Sequence, residues 1–114
     1  MADCLFCKVV SGDVPADIVY QDDTLVAFRD INPQAPVHLL IIPKRHIATL
    51  LDVGTADHDV LGRAFTVGKE LAQQEGISED GFRMVVNCGV AAGQSVYHLH
   101  FHLMGGRSMD WPPG

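Results

Sequence analysis

Three histidines stand at every second position of the stretch HLHFH, as His98, His100 and His102. Alternate side chains of a β-strand point to the same side of the sheet. The spacing therefore predicts three imidazoles on one face of a strand, with Leu99 and Phe101 on the opposite, apolar face. Three arrangements suit such a row: a metal site, a catalytic site, or a face of histidines open to solvent.

Strand geometry argues against one metal ion held by all three histidines. At roughly 3.4 Å per residue, the Cα atoms of His98 and His102 lie about 13–14 Å apart. Zinc–nitrogen bonds are only about 2.0–2.1 Å long, so two ligating nitrogens must come within roughly 3.5 Å of each other. An adjacent pair of histidines, or one histidine with ligands from elsewhere in the chain, remains compatible with a metal.

The central histidine and the loop before it suggest chemistry on a phosphate. A neutral imidazole keeps one bare nitrogen, which makes His100 a candidate nucleophile. In the preceding loop, GVAAGQS at 89–95, Gly89 and Gly93 let backbone N–H groups approach an anion, and Ser95 adds a hydroxyl donor. Such a loop is often only a loop, but beside three histidines it predicts a phosphate site.

The elements that must position these residues are short strands and one long helix. Apolar residues at steps of three and four predict a helix from about 57 to 75, with a stripe of Leu61, Ala64, Phe65, Gly68, Leu71 and Ala72. The remaining pattern predicts a short N-terminal helix, a hairpin with runs at 18–20 and 25–28, a loop at 31–36, and strands at 37–43, 82–88 and 98–104. Short connections favour an antiparallel sheet with helix on one face, an α+β fold.

Length and composition bound the class of protein. The 114 residues, 47% of them apolar, predict one domain spanning 1–114 with a packed core. A net charge of −6 argues against nucleic acid or an anionic membrane as partner, although a pocket for a nucleotide stays compatible with it. Three cysteines, no signal peptide and no apolar run long enough to cross a bilayer predict a reduced, cytoplasmic setting.

Several segments together resemble the histidine triad (HIT) superfamily, in particular its Hint branch of histidine triad nucleotide-binding proteins, or purine nucleoside phosphoramidases. The resemblance covers nearly the whole chain: DIVYQDD, VAFRDINPQAPVHLLIIPK, FRMVVN, GQSVYHLHFHLMGGR and the terminal WPPG. It implies a five-stranded antiparallel sheet with one long and one short N-terminal helix. It also implies a homodimer in which two such sheets join, and hydrolysis of the P–N bond of AMP or GMP amidates through a nucleotidyl-histidine.

The same resemblance implies residue roles. His100 matches the nucleophile, His102 and Ser95 match groups that contact the phosphate, and Ser95 or a histidine would help the amine to leave, since an amide anion leaves poorly. His38 and His98 complete the active-site histidines. Asp30 matches the carboxylate that binds the ribose hydroxyls, although it is equally suited to cap the Asn32-Pro33 loop. The apolar slot for the base matches Leu5, Phe6, Val9, Phe28 and Ile31, and the phosphate-side loop matches Asn87, Gly93 and Gln94.

Some HIT proteins that resemble this chain hold a structural zinc, and the matching residues here are Cys4, Cys7, His46 and His98. Two thiolates with two imidazoles make a closed tetrahedral set, which suits a structural ion, whereas the chemistry itself needs no cofactor. Close relatives without these cysteines manage without metal, so a free dithiol is the alternative. A bound ion would also orient His98.

The resulting expectation is a dimeric hydrolase of purine nucleoside phosphoramidates. Two alternatives stay open. One is a nucleotide-binding or scaffolding protein with vestigial hydrolysis, and the other is a dinucleotide polyphosphate hydrolase or nucleotidyl transferase, as in other HIT branches. The terminal segment RSMDWPPG is expected to reach the partner subunit near its active site.

Overall fold

A five-stranded sheet carries helices on both faces. The computed structural model describes residues 3–114, so the predicted unit 1–114 is described from its third residue onward. Its helices and strands are α1 (Leu5–Ser11), β1 (Ile18–Gln21), β2 (Leu25–Arg29), β3 (Val37–Pro43), α2 (His58–Gln74), β4 (Phe82–Val85) and β5 (Phe101–Gly105), with three short 3₁₀ turns in the connections.

The strands pair antiparallel in the order β1-β2-β3-β5-β4, which confirms the predicted α+β fold with one long helix and a short N-terminal helix. The hairpin, the strand at 37–43 and the long helix lie where the pattern placed them. Strand β4 ends at Val85 instead of residue 88, because its last partner on β5 is His102.

Two apolar cores lie on the two faces of the sheet. Helix α2 packs its Ala64, Val67 and Leu71 against one face of β2, β3 and β5, so Val67 joins the predicted stripe, whereas Phe65 is mostly exposed. Helix α1 packs Phe6 and Val9 against the other face. Because β3 is covered on both faces, it reads as a continuous apolar run, not an alternating one.

Within residues 3–114, no helix has the length and apolar character needed to cross a membrane.

Candidate active site

The histidine row lies only partly on a strand. Strand β5 begins at Phe101, paired with Ile41, so the predicted strand at 98–104 is wrong at its start. Beyond this pair the ladder ends, because the Leu99 N–H donates to the carbonyl of Ile47 (2.6 Å) instead of to β3. His98 and His100 therefore precede the strand, and both are buried instead of lying open to solvent.

The fully buried His98 has its two ring nitrogens committed to different tasks. Its Nε2 lies 2.7 Å from the carbonyl of Pro43, which only a protonated nitrogen can satisfy as donor. Its Nδ1 is then bare, and it faces the sulfurs of Cys4 (3.3 Å) and Cys7 (3.6 Å). A histidine that ligates a metal commonly donates its other N–H to a backbone carbonyl in this way.

The four residues of the predicted metal site come together. Ligand atoms of Cys4, Cys7, His46 and His98 all lie within 4.8 Å of one another. The sulfur of Cys7 is 3.4 Å from Nδ1 of His46, and tetrahedral zinc with bonds of about 2.0–2.3 Å requires ligand separations of roughly 3.5 Å. Two sulfurs and two imidazoles at these distances fit a closed tetrahedral ion, and the group is able to bind a metal.

Helix α1 is built around the two sulfurs of this group. Cys4 is its N-cap residue and accepts a hydrogen bond from the Cys7 N–H (3.4 Å). Desolvation, and then the neighbouring Cys4 sulfur, raise the pKa of the Cys7 thiol. In the absence of a cation Cys7 is therefore held as a thiol, and a bound cation would favour its thiolate.

His100 presents a nucleophilic nitrogen. Its Nδ1 lies 2.7 Å from the carbonyl of His98, so Nδ1 carries the proton and Nε2 is bare. The edge of Phe6 packs against the ring at a centroid distance of 5.2 Å. One hydrogen bond thus fixes both the tautomer and the orientation of the ring, as nucleophilic catalysis requires.

A chain of hydrogen bonds fixes the third histidine in the opposite tautomer. The Gln34 N–H donates to Nδ1 of His38 (3.0 Å), so the His38 proton is on Nε2. That nitrogen lies 2.9 Å from Nδ1 of His102 and 3.4 Å from a carboxylate oxygen of Asp30. His102 consequently accepts at Nδ1 and keeps a proton on Nε2. His100 offers a lone pair beside it, and His102 offers a proton.

Burial keeps the two histidines of this hydrogen-bonded series, His38 and His102, uncharged. Desolvation, followed by the nearby His100 and His38, lowers the pKa of His102 to about 4. Desolvation also lowers the pKa of His38, against the opposing effect of the Asp30 carboxylate. At neutral pH both rings are uncharged, so His102 is a hydrogen-bond donor and not a cation. Asp30, His38 and His102 also lie close enough to share a metal. Hydrogen bonds, however, already occupy both ring nitrogens of His38 and Nδ1 of His102.

These lowered pKa values predict how stability depends on pH. In the unfolded chain histidine takes up a proton near pH 6.5, whereas folded His102 does so only near pH 4. Between these values the unfolded state binds more protons, so stability is expected to fall as the pH is lowered from 6.5 to 4. The slope from His102 is at most about 1.4 kcal/mol per pH unit.

Urea unfolding at fixed protein concentration, with chelator present, measures this slope, and His102→Gln should reduce it. The ¹⁵N shifts of the imidazoles provide a direct check: His102 should stay neutral with its proton on Nε2 down to about pH 5. A His102 ring that titrates near pH 6.5 would contradict the buried, neutral chain.

An apolar pocket of about 320 Å³ opens between α1 and the end of β2, beside these histidines. It brings together most of the residues predicted to bind a nucleotide: Leu5, Phe6, Val9, Phe28, Asp30, Ile31, Ser95, His100 and His102. Ile31 is fully exposed at the rim, whereas Phe6, Val9 and Phe28 are buried and also belong to the core. The pocket has the size and lining of a small-molecule site.

Asp30 serves the local fold as well as facing the pocket. One carboxylate oxygen accepts the Asn32 N–H (2.8 Å), and the other faces His38. The two roles weighed for this residue, capping the loop and binding a ligand, are therefore compatible.

The glycine-rich loop is shaped by Gln94, whose buried side chain is fully engaged. Its amide oxygen accepts the Gly89 N–H (2.9 Å), and its amide nitrogen donates to the carbonyls of Ala48 and Val96. Gly93 adopts a left-handed conformation (φ +90°), which favours glycine. Gln94 thus holds the loop in place, and Ser95 at its end lines the pocket.

A second pocket, of about 460 Å³, lies on the other side of His102 and was not predicted. His38, Asn87 and His102 line it, together with Arg83, Arg107 and part of the tail beyond Met109. Of the predicted nucleotide contacts, Asn87 thus lies with His102 at this second pocket, whereas Gly93 and Gln94 line neither of the two pockets. The alternation of side chains along β4 predicts that Arg83 and Val85 share one face of the sheet. It does not predict that Val85 pairs with His102 on β5, because that contact is long-range.

A model of the HIT domain family matches residues 11–109. An uncharacterised HIT-like protein of Synechococcus elongatus is 56% identical, over 98% of this chain and 97% of its own length. Purine nucleoside phosphoramidase of Escherichia coli is 51% identical, over 92% of this chain and 88% of its own. The crystal structure of a HIT family hydrolase from Legionella pneumophila superposes with a TM-score of 0.96 at 55% identity, covering 98% of this chain and 100% of that one.

Proposed function

We propose, from the premise that this chain belongs to the HIT domain family, that it hydrolyses the P–N bond of purine nucleoside 5′-phosphoramidates. One observation carries the proposal: His100, with a bare Nε2, and His102, with a protonated Nε2, lie side by side at one apolar pocket. The Escherichia coli relative named a purine nucleoside phosphoramidase supports the same reaction.

In the first displacement, Nε2 of His100 attacks phosphorus and the P–N bond breaks. The electron pair of that bond stays on the departing nitrogen, which takes a proton from solvent, relayed by the Ser95 hydroxyl or by His102. The nucleotidyl group is then bonded to Nε2 of His100, and Nδ1 keeps its hydrogen bond to the His98 carbonyl. That carbonyl stabilises the positive charge that the ring acquires.

In the second displacement, water attacks phosphorus from the side that the amine has left. The bond from phosphorus to Nε2 of His100 breaks, and the electron pair returns to the imidazole. The proton that the water loses is released to solvent, so both histidines end the cycle in their starting tautomers. The products are a nucleoside monophosphate and a free amine.

The pocket supplies the binding contacts in this proposal. The base lies against Leu5, Phe6, Val9, Phe28 and Ile31, and the carboxylate of Asp30 accepts from the ribose hydroxyls. Ser95 faces the phosphate at the end of the loop that contains Gly93 and that Gln94 holds in place, with Asn87 beyond it in the second pocket. His38 keeps His102 in its donating tautomer, and the carbonyl of His98 does the same for His100.

A structural zinc ion is part of the proposal, held by Cys4, Cys7, His46 and His98. The ion contributes no step of the reaction. It fixes helix α1 to the segment that carries the triad, and it orients His98, whose carbonyl holds the nucleophile.

We also propose a homodimer formed across the free edge of β4. This strand ends the sheet, so its outer backbone groups have no partner strand among residues 3–114. Phe82 on β4 and Phe65 on α2 are large apolar side chains exposed beside it. Pairing of two β4 strands would join two five-stranded sheets and cover this edge.

Single-turnover kinetics tests the reaction class. AMP joined to a fluorogenic amine through a P–N bond should be hydrolysed with a burst of amine that precedes release of AMP. Adenosine polyphosphates joined through P–O–P bonds serve as the comparison. Faster cleavage of the P–O–P substrates would contradict the proposal in favour of polyphosphate hydrolysis, and unchanged ligand would identify a protein that only binds nucleotide.

A further inference from the structure

The two pockets of the active site meet at one side chain, the ring of His102. Under the proposed function, on which this inference rests, the nucleoside occupies the apolar pocket and phosphorus lies beside His100 and His102. The departing amine is bonded to the opposite side of phosphorus and extends into the second pocket. The volume of this second pocket, about 460 Å³, is far larger than an unsubstituted amine requires.

Two positive side chains of this second pocket, Arg83 and Arg107, have no counter-charge bonded to them. Arg83 donates to the carbonyl of Asp110 (3.0 Å), and Arg107 donates to the carbonyls of Gln34 (2.9 Å) and Ser108 (3.0 Å). These bonds hold both guanidinium groups in place without neutralising them, and several N–H donors of each remain available.

The other arginines of the chain are different. Arg29, Arg45 and Arg63 each form an ion pair with a carboxylate. Within residues 3–114, the two arginines without such a pair are therefore the two that line the second pocket. In a chain of net charge −6, two unneutralised guanidiniums in one pocket beside the reacting histidines indicate a site for an anion.

We infer that the second pocket binds a leaving amine that carries a carboxylate, with Arg83 and Arg107 as the residues that select it. Strand register places Val85 opposite His102 and Arg83 opposite Met104, so Arg83 lies on the same face one step further along. Two residues of a strand span roughly 6.8 Å. That separation suits a carboxylate two or three carbons removed from the nitrogen.

A pair of matched substrates tests this selection: AMP joined through its P–N bond to β-alanine, and AMP joined in the same way to β-alaninamide. The two leaving groups have similar size but differ in charge, and the carboxylate makes its amine the more basic, poorer leaving group, so leaving ability alone would favour the amide. For the wild-type protein at low salt, kcat/KM is expected to be about 10-fold higher for the carboxylate, and salt should reduce this ratio.

Variants then test whether the ratio of kcat/KM for the carboxylate substrate to that for the amide depends on the two arginines. Arg83→Gln and Arg107→Gln should each bring it close to one while leaving turnover of the amide within about twofold, and Arg83→Lys, which keeps the charge, should retain part of it. Asp110→Asn removes the acidic side chain that lines the pocket and should raise the ratio. Lys69→Gln, an equal change of charge at an exposed position of α2, is the control and should leave it unchanged.

A wild-type ratio of one or less, or a ratio that survives both glutamine variants, would overturn the inference while the proposed hydrolysis of the amide stands. Failure to cleave either substrate would instead overturn the proposed function. The Arg107→Gln protein keeps the test informative if Arg83→Gln does not fold.

Discussion

Replacing His100 by alanine is expected to reduce turnover of an AMP amine amidate by roughly 10⁴-fold or more, because no other side chain offers an unprotonated nitrogen in its place. Nδ1 of His100 is bonded to the carbonyl of His98, so only Nε2 is available for attack. AMP should still bind, because the apolar pocket and Asp30 remain in place. Single-turnover kinetics with the amidate and calorimetric titration with AMP measure the two effects separately.

The matched control is His58→Ala, an exposed histidine at the start of α2 that should have wild-type kinetics. Mass spectrometry of acid-quenched wild-type protein should detect a nucleotidyl adduct on the peptide that contains His100, and the variant should show none. Turnover retained in His100→Ala, or an adduct on another residue, would contradict the assigned nucleophile.

Removal of the proposed zinc is expected to have the second large effect. An ion that binds the folded but not the unfolded chain adds a free energy of RT ln(1 + [ion]/Kd), about 4 kcal/mol when the free ion is at a thousand times its Kd. Chelation, or the double variant Cys4→Ser with Cys7→Ser, should therefore lower the free energy of unfolding by several kcal/mol. Urea unfolding with and without chelator, at fixed protein concentration, measures the change.

Cys88→Ser provides the control, because Cys88 is a free cysteine outside the metal-binding group. Elemental analysis of protein purified without added zinc tests occupancy directly. Less than about 0.2 zinc per chain with intact thiols would count against the ion, since a structural site of this kind binds zinc tightly.

The local sequence pattern was sufficient to predict those elements whose burial produces a run of apolar residues. The run VHLLIIP predicted β3 to its bounds, because a strand covered on both faces is apolar at nearly every position, here at all but His38. The last strand was different. Its start is set by long-range contacts, the bond from Leu99 to Ile47 and the bond from His98 to Pro43, neither of which leaves a periodic signal.

The site was predictable in its residue types but not in its protonation. Motif resemblance named Cys4, Cys7 and His46 as partners of His98, and the structure brings the four together. Which nitrogen of each ring holds a proton depends on single carbonyl and amide groups, such as that of Gln34, that the fold supplies. The two unneutralised arginines were missed for a related reason, since an ion pair is recognised only when the distances are known.

Phe6 connects the candidate metal site on helix α1 with the apolar pocket. It stands between the two cysteines of that helix, its ring lies edge-on to His100, and it lines the nucleoside pocket. In the proposed function the metal and the nucleotide would both contact this one helix, which makes a coupling between their binding free energies a testable expectation. Such a coupling is reciprocal: the factor by which the ion raises the affinity for AMP is the factor by which AMP raises the affinity for the ion, so the Kd for zinc, measured in competition with a chelator, should be lower when AMP is present.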